Sequence, residues 1–335
     1  MLEKPDISEA LLQGVLHDHY GIVARRITFL PIGNDENSAL YRVDADGGPF
    51  FLKVRMGDFD VMSATLPKFL SEQGVPGIIA PVENVRGQVW THAERYHLVL
   101  YPFVEGHTGF DVALTDRNWA DLGRALRVLH ETTLPPAIKD TLRREAFSSR
   151  WRDEVRVLLD REVRAIDGAT EKLASFLRTR RDEIFALVER AEQLAPVAQD
   201  EAPTFVLCHG DIHGRNVLID STGVLHVVDW DTAVLAPKER DLMFIGGGIG
   251  GIWNDEREAA LFYEGYGPTN VQTAVLAYYR YDRIVEDIAV TTEEILSKDF
   301  SDADREKWNW QLERQFLPGH VVEMAHIAYE RMSPP

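Results

Sequence analysis

The chain has 335 residues, 45% of them apolar and 27% charged, with 54 acidic against 36 basic side chains and a net charge of −18. Such a composition suits a globular protein that buries its own core without staples, and its one cysteine, Cys208, excludes an intramolecular disulfide. The acidic surplus disfavours nucleic acid and anionic membrane as partners and favours a cationic ligand. Residues 1–20 lack the basic start and apolar run of a secretory leader, and no stretch approaches the roughly 20 apolar residues of a membrane span, so a cytoplasmic location is expected.

Asp6-Ile7-Ser8 opens a short helix with Leu11, Leu12, Val15 and Leu16 on one side. Strand-like runs follow at 27–30, 39–43 and 50–54, the last two joined by a hairpin turn at Asp46-Gly47-Gly48. A helix is expected over 61–72, and further strands over 88–91 and 96–101. From about residue 105 the pattern turns helical. Thr115-Asp116 starts a helix with Trp119, Leu122, Leu126 and Leu129 at helical spacing. The charged stretch 142–193 carries an apolar stripe of Ile184, Leu187, Val188 and Ala191, and 195–203 reads as a linker. Two short strands, 205–207 and 225–228, precede a helical final third. The expectation is an α+β fold. Its small β-rich N-terminal lobe spans 1–104, and its larger, mostly helical C-terminal lobe spans 105–335 with a helical insert at about 139–195.

The chemistry concentrates in Cys208-His209-Gly210-Asp211-Ile212-His213-Gly214-Arg215-Asn216-Val217-Leu218-Ile219, which continues after a turn into Val227-Val228-Asp229-Trp230-Asp231. Apolar strands bracket a polar loop, and each delivers a carboxylate. Phosphoryl transfer needs a carboxylate to orient a hydroxyl and take its proton, and oxygen ligands to hold Mg²⁺ against phosphates. Asp211 fits the first role; Asn216 and Asp229 fit the second. Lys53, in a strand otherwise fit for burial, is explained by phosphate, although an edge-strand lysine would read the same way.

The run H-G-D-I-H-G-R-N followed by V-V-D-W-D resembles the catalytic and metal-binding loops of aminoglycoside phosphotransferases and their protein-kinase-like relatives. The resemblance implies a two-lobed kinase-like fold, ATP or GTP as phosphoryl donor, and Mg²⁺. It makes Asp211 the catalytic base and Asn216 and Asp229 the metal ligands, with His209 and Asp231 supporting and Asp241 bracing the loop. It places Lys53 on the phosphates, beneath a covering loop that includes Gly33, Asn34, Asn37 and Ser38. The adenine edge would meet the Pro102 carbonyl and the Val104 amide. The glutamate that kinase-like folds pair with the strand lysine has no obvious counterpart; Asp60 is the nearest substitute. Segments 236–248, 262–267 and 283–290 are similar to the spectinomycin phosphotransferases of that family. That subgroup implies O-phosphorylation of an aminocyclitol antibiotic and hence resistance to it. A dicationic acceptor of this kind suits acids and aromatic faces, and Trp230, Asp231, Trp253, Tyr279 and Asp287 are the candidates. The alternatives are a metabolic kinase of choline or thiosugar type and a nucleotide-binding regulator without transfer activity.

Three other motifs carry less. Gly246-Gly247-Gly248-Ile249-Gly250-Gly251 contains a formal G-x-G-x-x-G but lacks the βαβ surroundings of a dinucleotide site, so close backbone packing explains it better. His209 and His213 are spaced as zinc ligands on a helix would be, yet Gly210 and Gly214 oppose that helix. Cys208 ends an apolar run and reads as a small buried hydrophobe.

Overall fold

The protein is described by a computed structural model covering residues 4–33, 37–161, 163–201, 203–297 and 300–332. In chain order the elements begin with α1 (Glu9–Tyr20), β1 (Ala24–Leu30), β2 (Ser38–Ala45), β3 (Gly48–Met56) and α2 (Met62–Glu72). Next come β4 (Thr91–Ala93), β5 (Tyr96–Pro102), β6 (Gly106–Thr108), α3 (Asp116–Glu131), α4 (Pro136–Lys139), α5 (Arg150–Asp160), α6 (Gly168–Thr179) and α7 (Arg181–Asp200). The chain continues through β7 (Phe205–Cys208), β8 (Val217–Asp220), β9 (Leu225–Val227), β10 (Val234–Pro237) and α8 (Glu239–Leu242). It ends with α9 (Glu256–Tyr266), α10 (Thr273–Leu296), α11 (Asp302–Arg314) and α12 (Val321–Glu330). The fold is α+β. It divides into two compact units, but not at one break near residue 104. The first unit takes Met1–Val112, Thr132–Leu142 and Arg215–Ala233; the second takes the remainder.

In the first unit an antiparallel sheet runs in the order β1-β2-β3-β5-β4. The period of two along β3 sorts its side chains by face. Leu52 and Val54 join Tyr41, Val43, Leu98 and Leu100 in a core closed by Leu12, Val15 and Leu16 of α1. Ser8 caps α1 by accepting the Leu11 N–H, and Gly21 ends it at φ 66°. Lys53 and Arg55 are thereby turned to the other face, toward Ala64 of α2 and Val99 of β5. A second small sheet, β6-β8-β9, completes the unit.

The second unit is built on α10, whose Tyr278, Tyr279, Tyr281, Ile284, Val285 and Ile288 are all buried. The first part of the expected linker at 195–203 is instead the end of α7, which runs through Pro196 to Asp200. An interior proline costs a helix about 3 kcal/mol. The buried stripe Ile184, Leu187, Val188, Ala191, Leu194 and Ala198 offsets that cost, since each large aliphatic side chain contributes roughly 1.5–3 kcal/mol when buried. Helices α3 and α9 touch backbone to backbone: a Cβ on Gly265 would lie 2.0 Å from the Ala120 carbonyl oxygen, and one on Gly123 would lie 2.1 Å from that of Phe262. Among the described residues no helix is long and apolar enough to cross a membrane.

Candidate active site

In the first unit, Lys53 and Arg55 meet carboxylates. Lys53 Nζ lies 3.0 Å from Asp229 Oδ1 and 2.7 Å from Asp231 Oδ2. Arg55 Nη1 donates to the same Asp231 oxygen at 3.3 Å and to Ser38 Oγ at 3.1 Å. Burial disfavours the Lys53 ammonium, but Asp229 and Asp231 outweigh it and hold the pKa above the ordinary lysine value. Asp60 is not the partner of Lys53: its carboxylate accepts the Met62 N–H at 2.9 Å at the start of α2. A short aspartate reaches a backbone N–H two residues on more readily than it spans a cavity, and Asp60, Lys53, Tyr101 and Asp231 do line one cavity together.

Asp229 takes the left-handed backbone at φ 66° and ψ 78°, where it leads a 3-10 turn at Trp230–Thr232. A non-glycine residue there costs of order 1–3 kcal/mol. The turn aims its carboxylate at Lys53 while leaving the side chain 51% exposed. Val217 pairs with Val227 in the β8–β9 hairpin, and the Val228 N–H donates to the Asn216 carbonyl at 3.0 Å. Asn216, itself buried, and Asp229 therefore stand at the same end of one hairpin.

In the second unit β7 pairs with β10 and delivers the loop 209–214. Asp241 of α8, fully buried, accepts the His209 N–H at 2.9 Å on one oxygen and the Gly210 N–H at 2.7 Å on the other. His130 of α3 lies 3.1 Å from Asp241 through Nε2, and its Nδ1 is 2.8 Å from the Tyr266 hydroxyl of α9. Three helices thus fix two consecutive peptide groups of the loop. The Asp211 N–H donates to His209 Nδ1 at 3.3 Å, which ties His209 to the same turn. The Asp211 carboxylate is held on both oxygens: Arg283 Nη1 lies 2.8 Å from Oδ1, and His213 Nε2 lies 3.2 Å from Oδ2. Burial pushes this carboxyl upward, but Arg283 and His213 overcome it and hold it well below the usual carboxylate range. Cys208, Asp241 and His130 come close enough to suggest a metal. Burial raises the Cys208 thiol, however, and its Sγ faces the Ala236 and Pro237 carbonyls; Asp241 already serves the loop.

The residues expected to receive the acceptor are placed differently. Trp253 is buried edge-on against Trp119, Tyr279 is fully buried and stacked on Phe147, and Trp230 is buried. Aromatic rings carry enough apolar area for the interior to claim them. Asp287 is engaged by Arg283 Nε at 2.8 Å, and Asp231 by Lys53 and Arg55. Two further acids of α10 are likewise matched, Asp282 with Arg152 at 2.8 Å and Glu286 with Arg240 at 3.9 Å. Asp282, Glu286 and Asp287 are thus each paired with an arginine.

Of the nucleotide-loop residues, Gly33 sits at φ 93°, the Asn37 carbonyl accepts the Met56 N–H, and Ser38 starts β2; Asn34 lies outside the described residues. Pro102 ends β5, exposed and paired with Phe50, and Val104 follows it half-buried. The glycine run packs tightly, as expected: a Cβ on Gly247 would lie 2.3 Å from the Met243 carbonyl oxygen. Sequence reading missed Arg55 and Arg283. The i, i+4 spacing of Arg283 and Asp287 was the available signal for the latter.

The model of the phosphotransferase enzyme family matches residues 28–279. The crystal structure of spectinomycin phosphotransferase APH(9)-Ia in complex with ADP and spectinomycin is 35% identical to this chain, covers 97% of it and 100% of its own length, and superposes with a TM-score of 0.90. The AMP-bound complex of that enzyme gives 34% identity, 96% and 98% coverage, and a TM-score of 0.86. Protein StrN of Streptomyces griseus is 26% identical over 247 residues, 71% of this chain and 75% of StrN. The choline kinase LicA of Streptococcus pneumoniae shares the fold, with a TM-score of 0.58 at 12% identity over 95% of this chain and 99% of its own. The chain belongs to the phosphotransferase enzyme family and is a phosphotransferase that acts on an alcohol group, similar to spectinomycin phosphotransferase.

Proposed function

We propose that the protein transfers the γ-phosphoryl group of ATP, with Mg²⁺, to a hydroxyl of spectinomycin or a closely related cationic aminocyclitol. The observation that carries this reading is the 35% identity with spectinomycin phosphotransferase over essentially the full length of both chains. The net charge of −18 supports a cationic acceptor by steering it to the protein. Asp211 orients the acceptor hydroxyl and takes its proton. Lys53 binds donor phosphate, Gly33, Asn37 and Ser38 contribute to its cover, and Pro102 and Val104 meet the base through their backbone.

The residues offered to the metal fit magnesium. Asn216 and Asp229 are oxygen donors at one hairpin end, and the Asp229 side chain is half exposed; Mg²⁺ takes one or two protein oxygens and completes its shell with phosphate and water. When bound, the ion neutralises charge on the donor phosphates. The rest of the catalysis is positioning: Asp241 fixes the loop and Asp211 holds the hydroxyl in line.

Mass spectrometry of spectinomycin after incubation with the protein and Mg-ATP tests the reading. The expected result is a product heavier by one phosphoryl group. Unmodified spectinomycin, alongside phosphorylated choline or a thiosugar in a parallel incubation, would assign the protein to a metabolic alcohol kinase instead.

A further inference from the structure

Arg283 of α10 lies outside the catalytic loop, yet it contacts Asp211 directly. Its guanidinium bridges two carboxylates through different nitrogens: Nη1 to Asp211 Oδ1 and Nε to Asp287 Oδ1, each at 2.8 Å. Asp287 lies one turn further along α10, so the pair is set by helix geometry rather than by a flexible loop. The cation also lies over the ring of Phe244, 5.7 Å from its centre, and its side chain is only 19% exposed. A guanidinium held on two edges and one face has little freedom to move. We infer that Arg283, anchored by Asp287, is the positioning residue that fixes the orientation of the Asp211 carboxylate and keeps it ionised.

This rests on the assignment of Asp211 as the catalytic carboxylate. A carboxylate has about four acceptor sites on its two oxygens. With Arg283 on one oxygen and His213 on the other, rotation of the group is opposed from both sides. The charged and titratable groups around it are His209 and His213 on the loop, Arg283, Glu286 and Asp287 on α10, and Arg240 on α8. Of the cations among them, Arg283 makes the shortest contact with Asp211. Its loss would therefore leave Asp211 both mobile and easier to protonate. Lysine at 283 keeps the charge, but one ammonium cannot reproduce a fork spread over Nε and Nη1.

The test is a carboxyl-carbon NMR titration of protein labelled with ¹³C-aspartate, the Asp211 signal being the one missing from Asp211→Asn. In the wild type that signal remains ionised down through about pH 4, the ordinary carboxylate midpoint. In Arg283→Met its midpoint rises by about 1–3 units, and in Arg283→Lys it stays near the wild-type position. Turnover of spectinomycin with Mg-ATP falls about 10²-fold in Arg283→Met, with the KM for ATP unchanged, and Asp287→Asn gives a smaller loss in the same sense. An Asp211 midpoint unmoved in a folded Arg283→Met would overturn the inference whatever happens to turnover. Should Asp211→Ala retain full turnover, it is the catalytic assignment of Asp211 that falls, and the titration still decides whether Arg283 clamps it.

Discussion

Each unit holds a charged group between opposite charges, and the two arrangements differ in what they leave open. In the first unit the central charge is the Lys53 cation, held by Asp229 and Asp231, and the Asp229 side chain is 51% exposed. In the second the central charge is the Asp211 anion, held by Arg283 and His213, with 21% of its side chain exposed. A carboxylate that is to receive a metal ion must be reachable from solvent. One that is to orient a hydroxyl gains from being immobilised before the substrate arrives. Backbone geometry makes the same division: Asp229 is presented by a left-handed residue at a hairpin end, whereas Asp211 follows two peptide groups fixed by Asp241.

The comparison can be broken most sharply at Asp211. Asp211→Asn should lower the rate of phosphoryl transfer by about 10²- to 10⁴-fold while leaving ATP affinity by calorimetry intact; loss of both together would place Asp211 in the nucleotide site. Next comes Asp229→Asn, which should raise the Mg²⁺ concentration for half-maximal turnover by at least the roughly 10- to 100-fold that loss of a supporting partner costs a metal site. A magnesium titration that superposes on the wild type would remove Asp229 from the ligand set.

Asp241→Ala leaves two loop N–H groups without their acceptor, at about 1–3 kcal/mol each if they stay buried. Its expected signature is a lowered denaturation midpoint together with lost turnover, and an unchanged midpoint would show that the loop does not depend on this brace. Burial alone would raise Asp241, but hydrogen bonding from His130 and the loop amides lowers its pKa. A depressed carboxylate contributes stability that is present above the ordinary value near pH 4 and is lost as pH falls through the folded value. Acid unfolding of the wild type should therefore be steeper below about pH 4 than that of Asp241→Asn. The smallest effect belongs to Asp60→Ala. It removes a side-chain acceptor at the start of α2, worth about 0.5–2 kcal/mol, and should leave the KM for ATP unchanged; a large rise in KM would restore Asp60 as a partner of Lys53.

Much of the fold was readable because its signals are local. Ser8 before Leu11, Leu12, Val15 and Leu16, the turn at Gly47-Gly48, and the alternation around Lys53 each specify an element through a few neighbouring side chains. The pairs that form across the sequence were harder. The partners of Lys53 lie more than 170 positions away, so a local search for an acid stopped at Asp60. Pro196 misled because its penalty is local while the compensating burial of α7 is tertiary. The aromatic acceptor candidates failed for a related reason: a tryptophan or tyrosine near a site motif is chemically apt for a ligand, but the interior competes for the same surface and took Trp253 and Tyr279.

The central claim is that Asp211, fixed by Asp241 and Arg283, carries the transfer step and not donor binding. Rapid-quench measurement of a single turnover of Mg-ATP with spectinomycin, comparing wild type and Asp211→Asn at matched nucleotide occupancy, tests it directly. The account predicts normal occupancy and a transfer phase slowed by at least about 10²-fold; a mutant that transfers at the wild-type rate would contradict it.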